Sequence, residues 1–137
     1  MKRIRKLLPV LIVVFSLWVV YHQVKEWVQA RAARVESVNQ MRDLSAAAMA
    51  YAATHGNSFP TTIPMLLAAS PLLPPGPEIS PLASDKTKPS YEMVAPAQPF
   101  SRVSDPARTP MIRSVFTTKN GERIIVFCDG HIETVSE

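Results

Sequence analysis

The chain reads as an α+β protein, with a long N-terminal helix packed on a small C-terminal antiparallel β-meander. Three observations predict it. An uncharged apolar run, Leu7 to Val24, stands near the start of the 137-residue chain. The stretch from Lys25 to Thr54 lacks Gly and Pro and carries apolar residues at three- and four-residue spacings. Strand-forming runs in the last third are separated by Asn-Gly and Asp-Gly, the commonest hairpin signals.

Residues 1–24 form a basic leader and anchor. The uncharged run of 18 residues, Leu7 to Val24, spans roughly 27 Å as a helix, close to the ~30 Å hydrocarbon core of a bilayer. Leu7, Val10, Leu11, Ile12, Val13, Val14, Phe15, Leu17, Trp18, Val19, Val20 and Tyr21 are the anchor residues. Pro9 falls in the first turn, where its missing N–H has no intrahelical acceptor. Lys2, Arg3, Arg5 and Lys6 keep the N-terminus cytoplasmic, and Trp18, Tyr21 and Trp27 mark the far interface. This predicts a single-pass protein of the bacterial inner membrane with a periplasmic head. Ala30-Arg31-Ala32 has the small-x-small form of a signal-peptide cleavage site, but it lies beyond Lys25, Glu26 and Trp27, far from the apolar run.

Residues 25–56 extend the helix. Val28, Val35, Val38, Met41, Leu44, Ala48 and Tyr51 form the stripe expected to face the sheet, and Gly56 is the left-handed cap. The stripe lacks sustained Leu or Ile at both heptad seams, which disfavours a coiled coil. Residues 57–110 are Pro-rich: 12 prolines between Pro60 and Pro110 exclude long helices and central strands. Thr61 to Ala69 makes a short helix with Ile63, Leu66 and Leu67 inward. Leu72, Leu73, Ile79 and Leu82 lay a loop over the core, and Ser90 to Val94 is a short strand.

Residues 111–137 are expected to form a three-stranded sheet. Ile112 to Thr117 and Arg123 to Phe127 flank a two-residue turn at Asn120-Gly121, which makes Lys119 and Glu122 cross-strand neighbours. A second two-residue turn at Asp129-Gly130 leads to a strand ending at Val135. It sets Cys128 opposite His131 and Phe127 opposite Ile132. In that register Ile125, Phe127 and Ile132 cover the helix, while Cys128, His131 and Glu133 share the outer face.

Cys128-Asp129-Gly130-His131 brings potential metal ligands together. A structural zinc site needs four ligands, and the chain offers no second Cys and only His22 and His55 besides, so the turn reads as structural, with no metal or cofactor. There is no Gly-x-Ser-x-Gly, no paired acids at a shared helical face and no phosphate-cradling Gly-rich loop, so no enzyme and no small-molecule substrate is inferred. Outside the four leader cations, 11 basic residues meet 11 acids, and no basic patch argues for nucleic acid.

Taken together, the basic start, the apolar anchor, Asn39 to Pro60 (NQMRDLSAAAMAYAATHGNSFP) and Val126 to Val135 (VFCDGHIETV) resemble the pseudopilin-like proteins of type II secretion. The group nearest in pattern is the prepilin-type proteins with an H-x9-DG domain. Gly56-x-x-Phe59-Pro60 and Phe127-x-Asp129-Gly130-His131 stand in the family's order. The resemblance implies a pilin-like fold and a non-catalytic subunit or accessory of a type II secretion or type IV pilus-like system. Its partners would be membrane lipid and other pilin-like subunits through the N-terminal helix. The alternative is a single-pass envelope protein whose pilin-like head is a binding module outside any filament. Two positions depart from the family pattern. No Gly precedes Gly56 and no acid precedes Glu26, where the family has a prepilin peptidase site followed by a glutamate, and the His of H-x9-DG falls on Lys119. The chain is therefore expected to escape that peptidase.

Overall fold

The computed structural model describes residues 2–71, 73 and 76–136, with side chains from Val10 onward outside those gaps. Its elements are α1 (Lys2–Thr54), α2 (Ile63–Ala69), β1 (Tyr91–Met93), β2 (Pro110–Ser114), β3 (Glu122–Phe127) and β4 (Ile132–Ser136), with a 3-10 turn at Phe100–Arg102. The chain divides into two compact units, Met1–Ala32 and Ala33–Glu137.

In the first unit α1 is helical through the apolar run, and every described side chain from Val10 to Ala32 is exposed except the half-buried Val19. One helix near the N-terminus is thus long and apolar enough to cross a membrane. The side chains of Lys2, Arg3, Arg5, Lys6 and Leu7 lie outside the described ones.

The second unit is an α+β head. Its antiparallel sheet has the strand order β1-β2-β3-β4, four strands rather than the three expected from residues 111–137. The extra strand is β1, from the Pro-rich region. The stretch from Ser90 to Val94 contains no proline, so it can pair with β2, Tyr91 opposite Ser114 and Met93 opposite Ile112. A bulge between Pro110 and Ile112 lets both Met111 and Ile112 bury completely.

The core joins Met41, Leu44, Ala48 and Ala52 of α1 to Ile63 and Leu66 of α2 and to Tyr91, Ile112, Ile124, Val126 and Cys128 around the sheet. The helical stripe is therefore shifted from the expected one. Val35 is exposed and Tyr51 half-buried, while Ser37 and Ser45 are buried, because the sheet meets the face defined by Met41, Leu44 and Ala48. Val28 belongs to the first unit and is exposed there. α1 is stopped just past Thr54 by Gly56 (φ 64°) followed by Asn57 (φ 62°), and the Asn57 N–H returns to the Ala52 carbonyl at 2.8 Å, the long bond of a Schellman motif. α2 starts at Thr62, whose hydroxyl accepts the Met65 N–H, with Pro64 in the first turn; Ile63 and Leu66 are buried and Leu67 half-buried. Of the loop residues expected over the core, Leu73 and Leu82 pack against it, Ile79 is half-buried outside the core cluster, and Leu72 lies outside the described residues.

Both hairpins differ from expectation by one residue. In the first, Gly121 N–H meets the Thr118 carbonyl and Thr118 N–H meets that of Glu122, so Lys119-Asn120-Gly121 is a three-residue loop and Thr118, not Lys119, faces Glu122. In the second, Gly130 N–H meets the Phe127 carbonyl and Phe127 N–H meets that of His131. Cys128-Asp129-Gly130 is then the loop, and Val126 faces Ile132. The glycines alone take the left-handed position, at φ 73° and 89°, while Asn120 and Asp129 have negative φ. The slip reverses the faces of β3: Ile124, Val126 and Cys128 are buried, whereas Ile125 and Phe127 are half-exposed on the outer face.

Candidate functional site

The terminal hairpin gathers Cys128, Asp129 and His131. Cys128 points inward from the first turn position and is fully buried, and burial followed by the nearby Asp129 charge pushes its thiol pKa up. A thiol held protonated inside a core is a poor nucleophile and a poor metal ligand. The sequence expectation that Cys128 and His131 share a face fails with the register that produced it.

Asp129 and His131 do meet. The Asp129 carboxylate accepts from the His131 backbone N–H at 3.1 Å and lies 2.5 Å from ring Nδ1, while ring Nε2 lies 3.5 Å from Glu133. Phe127 stacks on the imidazole, centroids 4.4 Å apart and planes within 2°. Desolvation acts to raise the Asp129 pKa, but the hydrogen bonds from His131 and its charge outweigh it, holding the carboxyl below its usual range. The two carboxylates occupy opposite edges of one ring, so the three side chains do not converge on a point where an ion could sit. Among the described residues no group of three or more His, Cys, Asp or Glu side chains is arranged to hold a metal. The arrangement orders a turn: an acidic side chain caps the backbone two residues on, and an aromatic pair closes the ladder end.

The other candidate surface is the apolar helix. Leu11, Phe15, Leu17, Trp18 and Tyr21 are each more than half exposed, as are Val10, Ile12, Val13, Val14 and Val20, so the apolar surface surrounds the helix and is not a stripe. Trp18 rests against His22 at 4.6 Å, and Arg31 lies over the Trp27 ring at 5.4 Å.

No protein family, curated protein or solved structure matches this chain.

Two features of the head had no sequence signal. One is a buried polar seam: the Ser37 and Ser80 hydroxyls are 2.6 Å apart, the Tyr91 hydroxyl donates to Gln40 Oε1 at 2.9 Å, Gln40 donates to the Ile79 carbonyl, and Ser90 Oγ accepts the Ser80 N–H. It ties the Pro-rich loop to α1 with directional contacts, and desolvation raises the Tyr91 pKa. The other is a shallow groove of about 520 Å³ between Asp43, Ala46, Ala47 and Ala50 of α1 and Ala69, Ser70, Pro71 and Leu73. Ala46, Ala47 and Ala50 floor it, and the end of α2 at Ala69 forms part of the opposite wall. Neither the seam's serines nor the groove's alanines are distinguishable in sequence from ordinary small residues, whose burial depends on what packs over them.

Proposed function

We propose that the chain is a membrane-anchored, non-catalytic, pseudopilin-like subunit or accessory of a type II secretion or type IV pilus-like system. The anchor lies in the bacterial inner membrane with the N-terminus cytoplasmic and the α+β head in the periplasm. The carrying observation is the helix from Val10 to Val24, apolar on every face and exposed on every face, a surface that water does not tolerate and a bilayer does. The head supports the same reading: residues 33–54 of α1 lie against a four-stranded antiparallel sheet, the layout that the sequence resemblance implies. The Lys2–Lys6 cations support the orientation.

Protease added to spheroplasts should remove the head and leave a small N-terminal fragment. A soluble mature protein starting near Ala33 would instead favour cleavage as a signal peptide.

A second reading, a single-pass envelope protein whose head binds partners outside any filament, is favoured by one observation: the run ahead of Val24 contains neither the glycine nor the glutamate associated with processing and subunit insertion in the resembled family. Cross-linking through the anchor helix, with identification of co-purifying pilin-like proteins, separates the two. Adducts with such proteins support the subunit reading, and their absence supports the binding module.

A further inference from the structure

The two edges of the sheet are not alike. β1 is three residues long and has α2 beside it, whereas β4 runs five residues with Glu133 to Ser136 exposed. The Phe127 N–H to His131 carbonyl bond sets the alternation of the ladder. His131, Glu133 and Val135 turn their main-chain groups toward β3, and Ile132, Thr134 and Ser136 turn theirs outward. Among the described residues nothing pairs with those outward groups. Such a row of free N–H and C=O groups is a template for another strand.

We propose that β4 pairs antiparallel with β4 of a second copy of this chain, about a twofold axis at Thr134. Parity and charge select this occupant. Outward groups can meet only outward groups, which restricts the self-pairing registers to those matching Ile132, Thr134 and Ser136 among themselves. The register centred on Thr134 joins Ile132 to Ser136 of the second copy and Thr134 to its counterpart, each pair exchanging two hydrogen bonds over the whole strand. It sets Glu133 opposite Val135, so the only charged side chain described on the strand meets an aliphatic one. A register centred on Glu133 would put two carboxylates directly opposite, which is destabilising, and one centred on Val135 would shorten the ladder. The strand is thus self-complementary in one register, as a twofold interface requires.

The test uses the full chain in detergent solution with Cys128→Ala, so that no native thiol competes. Glu133→Cys and Val135→Cys are placed in separate preparations and then mixed under mild oxidation. In the proposed register these positions form a non-hydrogen-bonded pair with Cα atoms about 4.5 Å apart, within disulfide reach. A disulfide joining the two variants is expected, with little self-linking of either alone. Trapping reads a weak contact and does not respond to association through the apolar helix alone. Adding Thr134→Pro removes an outward N–H that β3 does not use and only the long 3.5 Å Arg34–Thr134 Oγ1 contact besides, so the melting temperature should fall little while the mixed disulfide is lost. Absence of the mixed disulfide, Glu133→Cys linking to itself as fast as to Val135→Cys, or a mixed disulfide that survives Thr134→Pro would each overturn the proposal. So would linkage only to a different protein in native membranes.

Discussion

Two stretches of α1 invert the usual relation between hydrophobicity and burial. From Val10 to Val24 the side chains are among the most apolar in the chain, yet Leu11 is 63% and Phe15 65% exposed. From Ser37 to Ala52 they are smaller and more polar, yet Ser37 and Leu44 are both fully buried. Burial within the protein is set by what packs on a helix, not by the helix's own composition. Apolar surface left over on one stretch calls for a different solvent.

The largest expected effect comes from removing a side chain that the sheet covers. Leu44→Ala should destabilise the head by about 3–5 kcal/mol, with a lower melting temperature of the full chain in detergent, while Leu11→Ala should leave that temperature unchanged. Equal effects at the two positions would break the contrast.

The converse experiment is Leu11→Arg, which should weaken membrane insertion by about 3 kcal/mol and appear as a larger carbonate-extractable fraction, with the head still folded. Wild-type partition after that change would remove the bilayer from the account of the first stretch.

Gly130→Val comes next. Gly130 sits at φ 89° with only the Ser45 hydroxyl, 4.0 Å away, near its would-be side chain, so strain rather than collision sets a cost of about 1–3 kcal/mol. Chemical unfolding of the full chain measures it, and a cost below that of Ser37→Ala would show that the turn is softer than its geometry implies.

Ser37→Ala should cost about 1 kcal/mol by removing the Ser80 partner, whereas Ser16→Ala, in the apolar stretch where the hydroxyl bonds only its own helix, should cost the head nothing.

The smallest effect is in acid. The folded-state pKa of Asp129 is depressed, so its contribution is present above the ordinary carboxylate pKa of about 4 and is lost as pH falls through the lower folded value. Protection of the Phe127 and His131 amides relative to their intrinsic exchange rates should fall in that range, and Asp129→Asn should abolish that fall.

The apolar run, the long helix, its Gly56 stop, the α2 start and the presence of two hairpins are written in periodicity and turn residues, which act within a few positions of one another. The register of the hairpins is not. A two-residue loop at Asp129-Gly130 and a three-residue loop from Cys128 to Gly130 both need a residue of positive φ, and glycine supplies it in either case. Alternation does not arbitrate, because Ile124, Ile125, Val126, Phe127 and Cys128 are apolar on both faces of the strand. The buried seam of Ser37, Ser80, Ser90 and Tyr91 was invisible for a related reason: a serine reads the same in a loop at the surface and beneath one.

By itself the sequence determined the α+β class, the membrane-length apolar helix, and the order of helix, Pro-rich region and hairpins, since each follows from local propensity and from the periods of 3.6 and 2. Only the tertiary structure decided that β1 joins the sheet as a fourth strand. It also decided that α1 presents Met41, Leu44 and Ala48 rather than Val35, and that β3 turns Ile124, Val126 and Cys128 inward. Those outcomes rest on contacts between residues distant in sequence, where a one-residue slip exchanges the faces of a strand and packing of the whole core selects between them.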